Sequence, residues 1–265
     1  MPGLPPPAAI GTRFAPGRRV FWLGFYGAIL LAWVLLIRMT ASPLPGVSAA
    51  EYLASFCIAA ADANSVALLA MWALMSAAMM LPTFVPAIRV FGELGHVKAT
   101  DGRSMAALTA GYGVVWLGFA LGAAGLQVAL SRAGAMAGAA QTLAPWLTIG
   151  LLLVAGVYQF SPAKEACLAK CRHPLVFFME HWAPGPAPAL AMGARLGVWC
   201  IGCCWLLMLL GFVGGAMNLA WMGAATLFMT LEKLPEIGRY LTKPLGLLLV
   251  AAAALQAARV LFIGG

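Results

Sequence analysis

Long apolar runs alternate with short charged connections along the whole chain. A helix needs roughly 20 apolar residues to cross a bilayer. On that measure the pattern predicts seven spans: about Val20 to Ile37, Val66 to Val90, Met105 to Leu130, Leu143 to Phe160, Leu196 to Val213, Ala216 to Leu231 and Pro244 to Ile263. The runs are continuous rather than alternating, so they read as helices and not as barrel strands. Pro82 and Pro86 interrupt the second near its end, and the third is rich in Gly, as packed membrane helices are. Gly214-Gly215 leaves space only for a tight hairpin between the fifth and sixth. The expected fold is an all-α polytopic membrane helix bundle, with 1–19 a flexible tail and 20–265 a single transmembrane domain.

Two connections are long enough to hold structure. The first, near 39–65, carries Glu51, Cys57 and Asp62 in an Ala-rich run and is expected as a surface loop or short helix. The second, near 161–195, is expected as an interfacial segment. It opens on Ser161-Pro162, which suits an N-cap followed by proline at the first helical position. It is disturbed at Pro174. It returns through Pro184-Gly185-Pro186-Ala187-Pro188, which predicts a stiff, extended stretch.

Composition strengthens the membrane reading. The 265 residues are 63% hydrophobic and 9% charged, with mean hydropathy +0.94, against about 45–50% and about 25% in soluble domains. The net charge of +8 points to no nucleic acid, because the cations are scattered between apolar runs rather than gathered on one solvated stripe. They act instead as topology signals. With the N-terminus inside, the inner flanks hold thirteen cations: Arg13, Arg18, Arg19, Arg89, Lys98, Arg103, Lys164, Lys170, Arg172, Arg195, Lys233, Arg239 and Lys243. The outer flanks hold three, Arg38, Arg132 and Arg259. That asymmetry predicts an odd number of spans and an external C-terminus. The N-terminal region carries no ordinary cleavable signal, and the expected location is a bacterial inner membrane.

The candidate chemistry is sulfur. Cys200, Cys203, Cys204 and Met208 stand at i, i+3, i+4 and i+8, one stripe of the fifth span. Leu or Val would pack there without the redox and metal reactivity of a thiol. Cys167 and Cys171, four apart, share a face just beyond the fourth span, with Lys164, Lys170 and Arg172 nearby. Cys200 follows Arg195 by five residues, a depth of about 7–8 Å, so all five thiols fall toward one leaflet. Met71, Met75 and Met79 form an i, i+4, i+8 stripe beside Met80, and Met217 and Met222 open the sixth span. These methionines serve either as adaptable packing or as thioether ligands farther out along a path for a soft cation.

Soft donors of this kind select Cu(I), while zinc more usually takes His or a closed set of four ligands. Thiol–disulfide exchange is the competing use of adjacent cysteines, and purely structural packing is the third. His96, His173 and His181 fit no zinc spacing. No span is expected to bury an acid for a proton relay, and Glu232-Lys233 is expected as a helix-end pair at the interface. No Walker loop, nucleophile elbow or dinucleotide fingerprint occurs, so catalysis by a familiar hydrolase, kinase or dehydrogenase site loses its support.

Three stretches carry a family resemblance: Met71-Trp72-x-x-Met75-x-x-Ala78-Met79-Met80-x-Pro82; Tyr158-Gln159-x-x-Pro162-x-Lys164-x-x-Cys167-Leu168-x-x-Cys171-Arg172-x-Pro174; and Gly202-Cys203-Cys204-Trp205-x-Leu207-Met208 through Gly215-x-Met217-Asn218-x-x-Trp221-Met222 to Glu232-Lys233. Together they resemble a bacterial family of metal-binding integral membrane proteins, sometimes labelled copper chaperones. The resemblance implies copper handling, with a membrane cuproenzyme or a copper-donor protein as partner. It directs attention to Met71, Met75, Met79, Met80, Cys167, Cys171, Cys203, Cys204, Met217, Asn218, Met222 and Glu232. Cys200 and Met208 join the candidate ligands on spacing alone.

Overall fold

A computed structural model describes residues 16–41, 65–94, 102–137, 142–215 and 218–262. The connection containing Cys57, together with His96 and Met217, lies outside the described residues. The helices are α1 (Pro16–Ala41), α2 (Ser65–Leu94), α3 (Gly102–Arg132), α4 (Pro145–Tyr158), α5 (Pro162–Arg172), α6 (Pro174–His181), α7 (Pro186–Leu209), α8 (Gly211–Gly214), α9 (Leu219–Glu232) and α10 (Gly238–Phe262). A two-residue antiparallel ladder, β1 (Met136–Ala137) against β2 (Thr142–Leu143), precedes α4.

Among the described residues, five helices are long and apolar enough to cross a membrane: α1, α2, α3, α7 running on into α8, and α10. The pair α4 and α5 is apolar enough together but bends by 64° between them, and α9 is apolar with 14 residues. The seven apolar runs therefore fall on five long helices, one bent pair and one short helix. Leu23, Leu30, Leu121, Leu248 and Leu255 are all more than half exposed. Outward apolar surface of that kind suits lipid rather than water.

Two proline expectations are corrected. Helix α2 runs unbroken through Pro82 and Pro86. Pro82 lacks the N–H that would reach the Ala78 carbonyl, and the indole Nε1 of Trp33 donates to that oxygen at 3.1 Å instead. The stretch expected to be extended at Pro184–Pro188 begins a helix at Pro186. Proline in a first helical turn gives up an N–H that has no partner there anyway. Gly185, at φ 102°, makes the turn into it.

Contacts between helices give their directions. Helices α3 and α7 are parallel: Gly111 lies against Leu190 and Ala194, Gly193 against Leu108, and Gly197 against Val115. A Cβ at Gly193 would stand 1.9 Å from the Leu108 carbonyl oxygen, so only glycine allows this backbone approach. Helix α2 is antiparallel to α3, joined at one end by Trp72 Nε1 donating to Gln127 Oε1 at 2.7 Å. Farther along, Phe84 stacks on Tyr112 with centroids 4.0 Å apart. Helix α4 is antiparallel to α7, since Tyr158 bonds Gly202 while Leu143 and Val213 line one cavity. Helix α10 is antiparallel to α4, with Gly246 and Val250 against Gly156 and Leu255 near Thr148. Arg18, Arg19, Arg89, Arg103, Arg239 and Lys243 thus gather at one end of the bundle, the basic end, and Arg38, Arg132 and Arg259 lie toward the other.

Candidate metal centre

The centre forms where α5 lies across α7. Helix α4 stops at Tyr158, the chain turns through Gln159 and Phe160, and Ser161 caps the next helix by accepting from the Lys164 backbone N–H at 3.1 Å. Pro162 takes the first helical position and Pro174 begins the next helix, so α5 is a short arm with fixed ends. Its inward face carries Cys167, Leu168 and Cys171. Cys167 is accommodated by Gly202 of α7, where a Cβ would come within 2.5 Å of its sulfur. Tyr158 steadies the same place by donating to the Gly202 carbonyl at 2.6 Å.

One turn farther on, Cys171 meets the α7 stripe. The Sγ atoms of Cys171, Cys200 and Cys203 all lie within 4.8 Å of one another. Cys200 and Cys203 are buried and Cys171 is half-buried. Cys203 Sγ also contacts Cys204 Sγ at 3.2 Å and donates to the Cys200 carbonyl at 3.2 Å. All five described cysteines are free thiols. Residues remote in sequence, Cys171 and Cys203, thereby share a site that helical spacing alone joins only in part.

Cys200 has two further partners. Tyr112 of α3 stands with its hydroxyl 3.0 Å from the sulfur and donates to the Met80 carbonyl at 3.3 Å. Lys233, just past α9, donates to Cys200 Sγ at 3.0 Å and to Thr83 Oγ1 at 2.7 Å. Lys233 is 5% exposed. Among the described ion pairs it takes no carboxylate, so the partners of this buried side chain are a hydroxyl and a sulfur.

Below the thiols is a second buried group, and it corrects two expectations. Glu232 is fully buried, so an apolar helix does carry a buried acid. It is not paired with Lys233 as a helix-end couple: its Oε1 faces Lys164 Nζ at 2.8 Å, and Lys164 is 1% exposed. Lys164 also donates to Gln159 Oε1. Arg172 closes the group, with Nε donating to the Glu232 carbonyl at 3.0 Å, Nη2 to Thr242 Oγ1 at 3.3 Å and Nη1 to Glu165 at 3.1 Å. The arm carrying Cys171 is thus bonded to the ends of α9 and α10.

A family described as PpoB2, copper chaperone, matches residues 69–256. The chain belongs to the PpoB2 copper chaperone family. No curated protein matches the chain, and neither does any solved structure. The matched region contains every thiol, cation and hydroxyl just described, while α1 precedes it. Three thiols without histidine or carboxylate in the set are the donors a soft ion takes, and the PpoB2 assignment and this cluster together support copper handling.

The methionines stand differently. Met71, Met75, Met79, Met80, Met208 and Met222 are all buried in the core. Met80 enters the centre through its carbonyl, which accepts from Tyr112 and Thr83. The Met75 methyl packs toward Gly211 at the junction of α7 and α8. Tyr112 and Thr83 carry no sequence signal, while Lys164 is expected only as a cation near Cys167 and Cys171 and Lys233 only as half of a helix-end pair. The one available signal was a pair of charges, Glu232-Lys233, closing an otherwise apolar run.

Proposed function

We propose that the protein binds Cu(I) between Cys171, Cys200 and Cys203 and hands it on at the inner face of a bacterial inner membrane, to a membrane cuproenzyme or in exchange with a copper-donor protein. The observation that carries this reading is the approach of three Sγ atoms from two helices to within 4.8 Å of one another. Cu(I) is satisfied by few soft ligands, whereas structural zinc takes four. Cys171, the half-buried member, is where a ligand from a partner enters, with half-buried Cys167 one turn away. In this reading Met71, Met75, Met79, Met208 and Met222 line the route leading away from the thiols. The chain crosses seven times with its N-terminus inside.

The test is titration of reduced, detergent-purified protein with Cu(I) against a competing chelator. Tight binding is expected in wild type. A loss of at least a hundredfold is expected in Cys171→Ser, Cys200→Ser and Cys203→Ser, with a smaller loss in Cys204→Ser, whose sulfur lies outside the group in which every Sγ approaches every other. Wild-type protein without tight binding sinks the proposal. Thiol exchange draws on the 3.2 Å contact of Cys203 with Cys204 and on the approach of Cys171 to Cys200 and Cys203. A bridge between neighbours in regular helix is strained, which ranks this use second, and a stable disulfide recovered by thiol trapping in cells would reverse the order.

A further inference from the structure

The copper reading leaves unexplained why a lysine is buried against one of the ligands. Lys233 follows the last residue of α9, and its side chain runs inward rather than out to the nearby basic end. Its ammonium is held on two sides, by Thr83 from α2 and by Cys200 from α7. The nearest acid in sequence, Glu232, is occupied by Lys164. A cation so placed is part of the centre's charge balance and is not there to satisfy a carboxylate.

We propose that Lys233 determines the charge selectivity of the thiol centre, holding it for a monovalent soft cation against a divalent one. The claim rests on the Cu(I) reading and deepens it. Repulsion between the ammonium and a metal ion bound to Cys200 scales with the ion's charge, so it weighs twice as heavily on a divalent ion as on a monovalent one. Position acts in the same direction as charge. The ammonium and the Tyr112 hydroxyl both stand 3.0 Å from the Cys200 sulfur, filling space around that ligand. A tetrahedral divalent ion requires a fourth ligand, and on the Cys200 side the ammonium offers no lone pair to supply it. Three thiols suffice for the monovalent soft ion.

Softness and charge are separated by comparing Ag(I) with Cd(II), both thiophilic, by chelator competition on reduced protein. Lys233→Met is expected to raise Cd(II) affinity relative to Ag(I) at least tenfold over wild type, and Lys233→Arg to keep the wild-type ratio. Lys233→Gln, which retains a donor for Thr83 without the charge, is measured beside them and is expected to follow the Met variant even if that one folds poorly. A merely structural role would weaken both ions alike and leave the ratio still. An unchanged ratio in both neutral variants, or an equal shift in Lys233→Arg, overturns the inference while leaving the copper reading intact. Wild type that binds neither Cu(I) nor Ag(I) overturns the copper reading, and this one with it.

Discussion

Glu232 and Lys233 are adjacent in the chain, and their side chains serve different groups. Glu232 faces Lys164 of the α5 arm, and Lys233 faces the sulfur of α7. Removing one partner of a buried pair costs more than removing both, because an uncompensated charge is left behind. Glu232→Gln is therefore expected to destabilise the protein by about 3–5 kcal/mol, and adding Lys164→Met is expected to recover most of that loss. Denaturant or thermal unfolding in detergent reads the difference, and a double variant as unstable as the single one would remove the pair from the account. The thiols themselves were legible in the sequence, since i, i+3 and i+4 spacing fixes a common stripe. Lys233 and Tyr112 were not, because what they touch depends on which way two other helices face.

At the scale of elements, the existence of most helices followed from apolar run length, and their ends did not. Helix α7 begins ten residues before the apolar run at Leu196 because two prolines fit its first turn. Ser161-Pro162 and Pro174 marked both ends of α5 correctly, since caps are local chemistry. The continuity of α2 through Pro82 was illegible locally. It depends on Trp33, 45 residues before Ala78, supplying that residue's carbonyl with the hydrogen bond that proline withholds. Trp33→Phe keeps an aromatic body and deletes that donor, so it is expected to cost about 0.5–1.5 kcal/mol. Restoring the backbone N–H with Pro82→Ala should make the Trp33→Phe change nearly neutral. A double-mutant cycle of unfolding free energies checks this, and additivity of the two changes would sink the account.

Across the whole molecule, the directions of α3, α7 and α10 constrain the crossings more tightly than charge counting does. These three helices run the same way, so the chain must return twice, once between Arg132 and Pro186 and once between Gly214 and Gly238. The returns are α4 and α9, each of 14 residues, about 21 Å of helix against a hydrocarbon core of ~30 Å. Short spans are accommodated by local thinning of the bilayer or by flanking segments that complete the crossing, and in the proposed arrangement the β1–β2 ladder ahead of α4 is such a segment. Both short helices end at the buried Lys164 group beside the thiol centre, α4 through Gln159 and α9 through Glu232. Helix α2, with 30 residues, is about 45 Å long, enough to extend beyond the bilayer. In the proposed seven-crossing arrangement the centre is reached from the inner face, where both short helices end. Reporter fusions that are active only outside test this directly. Activity is expected after Arg132, after Gly215 and at the C-terminus, and none after His181 or Leu234. A fusion after Leu234 that matches the one after Gly215 would show that α9 does not cross. The thiol centre would then have to be reached from the opposite face.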